Sequence, residues 1–296
     1  MLCEKTRKKL EFARRELKGY DTSMVCRLLG VSRSAFYRSR KQVESEKIRE
    51  EEAVINCFKT NNGNYGRIRI RKALALQDIR VSENRIARIL KKNGLAAKAG
   101  RKRKNRRPKP TEEQYIQENL CKDKFLVTQV NALWCSDICE LRCRSGKIYM
   151  CGIIDVATRR IVGWDIAGHQ RQDLVQEAFK MAIGRNPEIP KGAIYHSDRG
   201  CQYTAIKTKD LIEKSGFLKS MSRPGTPNDN QPIESFWKTL RTELPDIVQL
   251  GKDDAVRRIV AYIELYYNSS RLHSGIGYKV PNEYFELLTL SSVSVS

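Results

Sequence analysis

The sequence lacks several features that would place it in common classes of protein. No apolar run approaches the roughly 20 residues of a transmembrane helix, and the first residues, MLCEKTRKKLEFARREL, contain no apolar stretch typical of a signal peptide. Acidic residues are few beside basic ones, 34 against 56. We therefore expect a cytoplasmic protein with no membrane partner.

Paired metal-binding cysteines are also absent. The chain has nine cysteines, no Cys-X-X-Cys pair and only three histidines. Cys135, Cys139 and Cys143 recur every four residues, but in a strand such neighbours stand about 13 Å apart, too far to share one tetrahedral ion. We expect reduced, structural thiols rather than disulfides or a zinc site.

What the sequence does have is positive charge. The formal net charge is +22 and the pI is near 9.7, which suits a polyanionic partner. Ribosomal and membrane-surface proteins can be equally basic, but nucleic acid is the partner that this charge favours.

Residues 1–97 have the apolar periodicity of helices and contain two candidate helix-turn-helix units. In SMVCRLLGVSRSAFYRSRK, Gly30 ends the first helix, Ser32 caps the second, and the apolar face comprises Val25, Leu28 and Leu29. In YGRIRIRKALALQDIRVSENRIARILKKNGL, Ser82 is the cap, Gly94 ends the helix, and the apolar positions are Ile68, Leu74, Ile86, Ile89 and Leu90. One such helix pair is a common structural element, but two favour DNA binding.

Residues 98–125 predict a solvated basic linker. The segment AAKAGRKRKNRRPKPTEEQ is almost wholly polar and cannot bury a core. Its cations would bind DNA phosphates, and the candidate residues are Arg101, Lys102, Arg103, Lys104, Arg106 and Arg107.

From about residue 126 the pattern changes to short apolar runs. These predict a three-stranded meander at 131–141, 147–154 and 159–167, then a helix at 172–185, a strand in GAIYHSD, a helix near 205–215 and a short strand in FLKSMS. Strands followed by alternating helices and strands indicate an α/β fold with a mixed sheet. We expect a core at 126–245 and a helical C-terminal extension at 246–296.

Three carboxylates stand out in this core. Asp137 lies inside an apolar strand, where its charge is costly without a cation, and Asp198 lies at the carboxyl end of a strand, where α/β sheets bind ligands. Glu234 lies beside the apolar face of a helix. Together they would repel one another unless divalent cations bind between them, and oxygen ligands favour magnesium or manganese. Each taken alone is more often a turn former, a salt-bridge partner or a surface residue.

Other polar residues near these positions remain open. His196 shares a strand face with Asp198, so it could line the site or be a packed, hydrogen-bonded histidine; Asn230 is also a candidate for lining the site. Asp155, followed by Val-Ala-Thr-Arg-Arg, favours a turn. The role of His273 is open.

Thirty-five residues separate Asp198 from Glu234, and the text around each carboxylate is distinctive. NALWCSDI, IYHSDRGCQYT and RPGTPNDNQPIESFWKTLRTE resemble the retroviral-integrase-type catalytic core, and more narrowly the OrfB-type DDE transposases of the IS-three insertion-sequence family. The resemblance extends to VSENRIARILKKNGL before the core and YYNSSRLHSGIGYKVPNEYF after it. Cys139 and Cys201 stand where hydroxyl residues are usual, and Trp237 stands where phenylalanine is common.

The resemblance implies an RNase H-like fold and catalysis by Asp137, Asp198 and Glu234 with two Mg²⁺ ions, for which Mn²⁺ can substitute. It implies DNA nicking and strand transfer at insertion-sequence ends, with double-stranded terminal repeats and target DNA as partners. It also implies a homo-oligomer in the DNA complex, and an upstream OrfA partner or frameshift fusion is an open alternative.

Two further cations follow Glu234 along its helix. Lys238 and Arg241 lie four and seven residues on, so we expect them to contact the DNA backbone; the alternative is an ordinary Glu234–Lys238 pair. The alternative for the whole chain is a DNA-binding regulator of transposition without catalysis, which would leave the three carboxylates unexplained.

Overall fold

The computed structural model describes residues 4–17, 19–98, 120, 127–222 and 230–293. The chain divides into two compact units, residues 1–97 and residues 98–296.

The regular structure in the described residues of the first unit is entirely helical. Its five helices are α1 (Glu4–Glu16), α2 (Thr22–Leu29), α3 (Arg33–Thr60), α4 (Arg67–Ala75) and α5 (Glu83–Lys92). Helix α3 is longer than the short second helix that the first helix-turn-helix pattern suggests, because no glycine or proline interrupts it before Gly63. Neither α3 nor any other helix among the described residues is long and apolar enough to cross a bilayer.

The predicted helix ends in this unit are confirmed. Gly30 ends α2 in the left-handed conformation at φ 63°. The hydroxyls of Ser32 and Ser82 accept hydrogen bonds from the backbone of Ala35 and Arg85 at the starts of α3 and α5.

Two predicted core residues are on the surface instead. Leu28 is 73% exposed, and Cys26 is buried beside Val25. Ile68 is 41% exposed. The buried face of α4 is formed by Ile70 and Leu74, which are four residues apart and so lie on the same side of the helix. The predicted core positions Leu74, Ile86, Ile89 and Leu90 are buried.

The second unit is built on a five-stranded mixed sheet. Its strands are β1 (Leu133–Cys143), β2 (Gly146–Asp155), β3 (Ile161–Ala167), β4 (Ile194–Ser197) and β5 (Leu218–Met221). The order is β3-β2-β1-β4-β5. The first three strands form an antiparallel meander, and β4 and β5 add in parallel. The predicted meander and mixed sheet are both confirmed.

Helices cover both faces of this sheet. They are α6 (Gln172–Arg185), α7 (Cys201–Thr204), α8 (Ile206–Lys214), α9 (Gln231–Glu243) and α10 (Lys252–Ala261), with a 3-10 turn at Pro245–Gln249 and a π-helical turn at Tyr262–Tyr267. A further helix, α11 (Pro281–Val293), follows them in the chain. The helix expected near 205–215 is confirmed as α8, and Ala205, at φ −57° and ψ 134°, separates it from the short additional helix α7.

The two faces of the sheet carry separate apolar cores. One lies against α6 and α8 and includes Trp134, Ile153, Val162, Val175, Phe179, Ile212 and Phe217. The other lies against α9 and α10 and includes Ile148, Met150, Ile233, Phe236, Trp237, Leu240 and Ile259. Asp137 shares the second face with the buried Cys135 and Cys139, since alternate residues of a strand point the same way.

Candidate active site

Asp137 lies near the middle of β1, where it is largely shielded from water. Burial, together with the negative charges of Asp198 and Glu234, raises the pKa of its carboxyl to about 7. The indole Nε1 of Trp237 on α9 donates a hydrogen bond to the Oδ2 of Asp137 at 2.9 Å. This hydrogen bond stabilises the ionised carboxylate and so lowers its pKa, but burial and the two negative charges outweigh it. The electrostatic fields of all three predicted carboxylates therefore overlap at this point of the sheet.

Asp198 follows β4 directly, at its carboxyl end. Strand β4 runs parallel to β1, and its Ser197 is paired with Ser136 of β1. Asp198 directly follows Ser197, and Asp137 directly follows Ser136. The Oδ1 of Asp198 accepts a hydrogen bond from the backbone of Gly200 at 3.0 Å, and the side chain itself is exposed. Parallel pairing is thus what brings the two aspartates onto neighbouring strands.

Glu234 lies in the first turn of α9. This helix begins after Asn230, whose Nδ2 donates to the backbone carbonyl of Ser136 at 2.9 Å. Because Ser136 immediately precedes Asp137, that hydrogen bond ties the start of α9 to the strand beside the aspartate. Burial raises the pKa of Glu234.

The donor set at this site is made of oxygens. Besides the carboxylates, Asn230 is buried, and its Oδ1 has no hydrogen-bond partner among the described residues. Hard divalent cations such as magnesium and manganese prefer such ligands. However, no three histidine, cysteine or carboxylate side chains in the described ranges stand close enough to form a metal centre as placed. The oxygen ligands and their uncompensated negative charge fit a divalent cation, but the carboxylates are not placed close enough together to coordinate one.

The two cations that follow Glu234 on α9 differ in their surroundings. Lys238 is exposed, and its ammonium has no ion-pair partner within the described part of the chain, so the alternative Glu234–Lys238 pair is not formed. Arg241 instead donates from Nη2 to the sulfur of Cys139 at 2.8 Å, next to Asp137 on the same strand face. The six basic linker residues, Arg101, Lys102, Arg103, Lys104, Arg106 and Arg107, lie outside the described residues.

His196 is a packed, hydrogen-bonded side chain. It is fully buried, with Nδ1 2.9 Å from the Ser220 hydroxyl and Nε2 3.0 Å from the Ser222 hydroxyl. Of the two alternatives left open by the sequence, the structure shows the structural one, in which both ring nitrogens are engaged by serines.

Asp155 forms a turn, as the sequence predicts. Its carboxylate accepts hydrogen bonds from the backbone and hydroxyl of Thr158 and from the backbone of Asn131. His273 also shapes a turn: its Nδ1 accepts from the backbone of Gly275 at 3.1 Å, and its backbone pairs with Lys279.

The cysteines of β1 lie within the sheet as thiols. Cys135, Cys139 and Cys143 are buried and form no disulfide with one another. Burial raises the pKa of the Cys139 thiol to about 12, which keeps it protonated and poorly nucleophilic. Cys201, on α7, is exposed.

Sequence reasoning missed the role of Trp237 at this site. It noted this residue only as a tryptophan where phenylalanine is common, whereas the structure shows its indole donating to Asp137. A buried tryptophan in that position is itself a signal, because a buried indole N–H needs an acceptor.

Comparison with known families matches most of the chain. Residues 127–227 match the family described as Integrase core domain, residues 215–281 match a second family of the same description, and residues 45–103 match an HTH-like domain. The second predicted helix-turn-helix unit lies inside the last match, and the first lies before it.

Three relatives span nearly the whole chain. The chain is 35% identical over 250 residues to the transposase for insertion sequence element IS904 of Lactococcus lactis, covering 83% of this chain and 96% of that protein. It is 34% identical to the insertion element IS600 31 kDa protein of Shigella sonnei (88% and 97% covered) and 29% identical to transposase InsF for insertion sequence IS3A of Escherichia coli (90% and 94% covered).

Among solved structures, the catalytic core domain of BIV integrase is 16% identical and covers 55% of this chain and 99% of that one, with a TM-score of 0.42.

Proposed function

Because this chain belongs to the insertion-sequence transposases with an integrase core domain, which have an RNase H-like fold, we propose that it nicks DNA at the ends of its element and transfers the freed strands. Transposition and integration are the activities of that family. The metal dependence, the catalytic residues and the DNA partners are our proposals for this chain.

One observation carries the catalytic assignment. Asp137 lies inside a sheet, and the charges of Asp198 and Glu234 help to raise its pKa to about 7. A protein that needed these residues only for folding would gain nothing from placing two further carboxylates where their negative charges act on the buried Asp137. Such an arrangement is useful when a cation completes it.

Asp137, Asp198 and Glu234 would hold two magnesium ions, with manganese able to substitute, and the Asn230 Oδ1 supplies a further oxygen at the same place. When bound, these ions supply an activated water or 3′-hydroxyl on one side of a phosphodiester and stabilise the leaving oxygen on the other. The chain's own contribution is rigid placement: β1, β4 and the start of α9 each carry one carboxylate, and the Asn230 amide joins α9 to β1.

The DNA partners are double-stranded terminal repeats and target DNA. The exposed, unpaired Lys238 is well placed to contact the backbone of the transposon end, while Arg241 lies one turn further along the same helix. The two helix-turn-helix units and the linker cations would add phosphate contacts. We further propose a homo-oligomer in the DNA complex, active alone or as a fusion with an upstream OrfA protein.

The test is nicking of a DNA duplex that carries the element's own terminal repeat, with and without magnesium. Asp137→Asn, Asp198→Asn and Glu234→Gln should each abolish nicking and strand transfer while leaving DNA binding intact, because one missing ligand leaves the metal site incomplete. Glu213→Gln is the matched control, since Glu213 is an exposed carboxylate on α8 with a loose 3.8 Å contact to Lys209; it should cut as the wild type does.

Magnesium-dependent nicking that survives in any of the three site variants would overturn the catalytic assignment. DNA binding without nicking by the wild type, alone and fused to its upstream partner, would favour the non-catalytic regulator instead.

A further inference from the structure

Trp237 makes a specific contact with the carboxylate at the centre of the proposed site. Its indole Nε1 donates to the Oδ2 of Asp137 at 2.9 Å, and its side chain is only 3% exposed. The ring packs against Phe236 with centroids 4.9 Å apart. The donor therefore belongs to a buried ring that its neighbours hold beside the aspartate.

The sheet leaves space for this indole at one position. Gly152 on β2 is the residue paired with Asp137 on β1. A Cβ at Gly152 would stand 3.1 Å from Cζ2 of Trp237, which is a tight contact, and 2.7 Å from Cη2, which is closer than real Cβ contacts allow. The glycine and the tryptophan are therefore fitted to each other directly beside the aspartate.

We propose that Trp237 is a positioning residue, which holds the Asp137 carboxylate in the orientation that binds the divalent cation. This inference rests on the proposed function. A carboxylate that binds a metal through one oxygen gains when a fixed donor engages the other, because less rotational freedom is lost on binding. Trp237 supplies that donor from α9, the helix that also carries Glu234.

The competing explanation is that a buried indole simply needs an acceptor. The same unit contains a matched example. The Nε1 of Trp164 on β3 donates to Oε1 of Glu264 at 2.7 Å, and that carboxylate also pairs with Arg185. Trp164 thus makes the same type of hydrogen bond at a carboxylate that is not part of the proposed site.

The experiment is titration of the full-length protein with magnesium alone, followed by calorimetry. Trp237→Phe keeps an aromatic ring in the core but removes the N–H, and we expect it to weaken magnesium binding by about 10-fold. Trp164→Phe should bind magnesium as the wild type does. The half-saturating magnesium concentration for nicking should rise in Trp237→Phe and stay unchanged in Trp164→Phe.

A second variant disrupts the same hydrogen bond without changing the tryptophan. Gly152→Ala retains the indole but pushes it away from Asp137, so it should also weaken magnesium binding. In the Trp237→Phe background the same alanine should have little further effect, because phenylalanine lacks the outer ring atoms that the new Cβ would meet.

Unchanged magnesium affinity in folded Trp237→Phe, or equal losses in Trp237→Phe and Trp164→Phe, would overturn the positioning role. If the wild type binds magnesium and Asp137→Asn does not, such a result leaves the proposed function standing. If the wild type itself binds no magnesium, with or without terminal-repeat DNA, both the proposed function and this inference fail.

Discussion

Replacing Arg271 by methionine should destabilise the second unit strongly, because it leaves a carboxylate buried without its cation. The side chains of Arg271 and Glu243 are 4% and 5% exposed. The guanidinium approaches both carboxylate oxygens, with Nη2 2.7 Å from Oε1 and Nε 3.0 Å from Oε2. The Tyr262 hydroxyl donates to the same carboxylate at 2.8 Å. Glu243 ends α9, so this network fixes the far end of the helix that carries Glu234.

The size of the effect follows from how completely the pair is buried. Burial alone would lower the pKa of Arg271, but the hydrogen bonds and charge of Glu243 outweigh it, and the pKa is raised. Removing one partner of such a pair costs about 3–5 kcal/mol. For a unit of this size, in which 1 kcal/mol shifts Tm by roughly 2–4 °C, Tm should fall by about 10 °C.

Thermal unfolding of the full-length protein measures this, with Arg257→Met as the control. Arg257 pairs with Asp254 at 2.8 Å, but their side chains are 76% and 63% exposed, so its loss should cost at most about 1 kcal/mol. The double variant Glu243→Leu with Arg271→Met should be more stable than Arg271→Met alone, since neither charge is left unpaired. A cost for Arg271→Met no larger than that of the control, or strictly additive costs in the double variant, would refute the reasoning.

Two further predictions concern the site. Lys238→Ala should weaken binding of the transposon end and strand transfer together, and adding Arg241→Ala should weaken both further, with the magnesium dependence unchanged; undiminished end joining by the double variant at moderate salt would contradict the DNA contact. In EDTA, folding raises the pKa of Asp137 from 3.8 to about 7. The protonated carboxyl therefore favours the folded state below about pH 4, and this contribution to the free energy of unfolding, at most about 4 kcal/mol, is lost as the pH rises through 7. Urea unfolding at pH 5 and pH 8 tests this, and Asp137→Asn should reduce the difference without abolishing it, because burial also raises the pKa of Asp155 to about 6.

Local signals explain the parts of the fold that the sequence predicts. The helix expected at 172–185 is α6, Gln172–Arg185, because its apolar residues recur at helical spacing and polar segments flank it. Ser32 and Ser82 cap their helices as expected, since a cap depends only on the three residues that follow it. The meander is likewise formed by strands that neighbour one another in the sequence.

Predictions that depend on tertiary contacts were less complete. Leu28 and Ile68 are apolar residues at helical spacing, yet both are exposed, because the side of a short helix that faces the core is set by its neighbours. The helix near 205–215 was predicted, but the four-residue helix α7 that precedes it was not. The Glu243–Arg271 pair joins residues 28 positions apart in the sequence, and nothing in either local pattern indicates the other.

The contact between Trp237 and Asp137 shows why the three carboxylates could be found from the sequence when their surroundings could not. Each carboxylate lies in a recognisable local context, so its position can be read without the fold. The indole reaches Asp137 only because β1 and β2 pair Asp137 with a glycine and α9 lies across that pair. A shift of one residue in that pairing would place Cys151 or Ile153 opposite Asp137, and either side chain would fill the space that the indole needs. The environment of the site is therefore a property of strand register, which a single sequence does not encode locally.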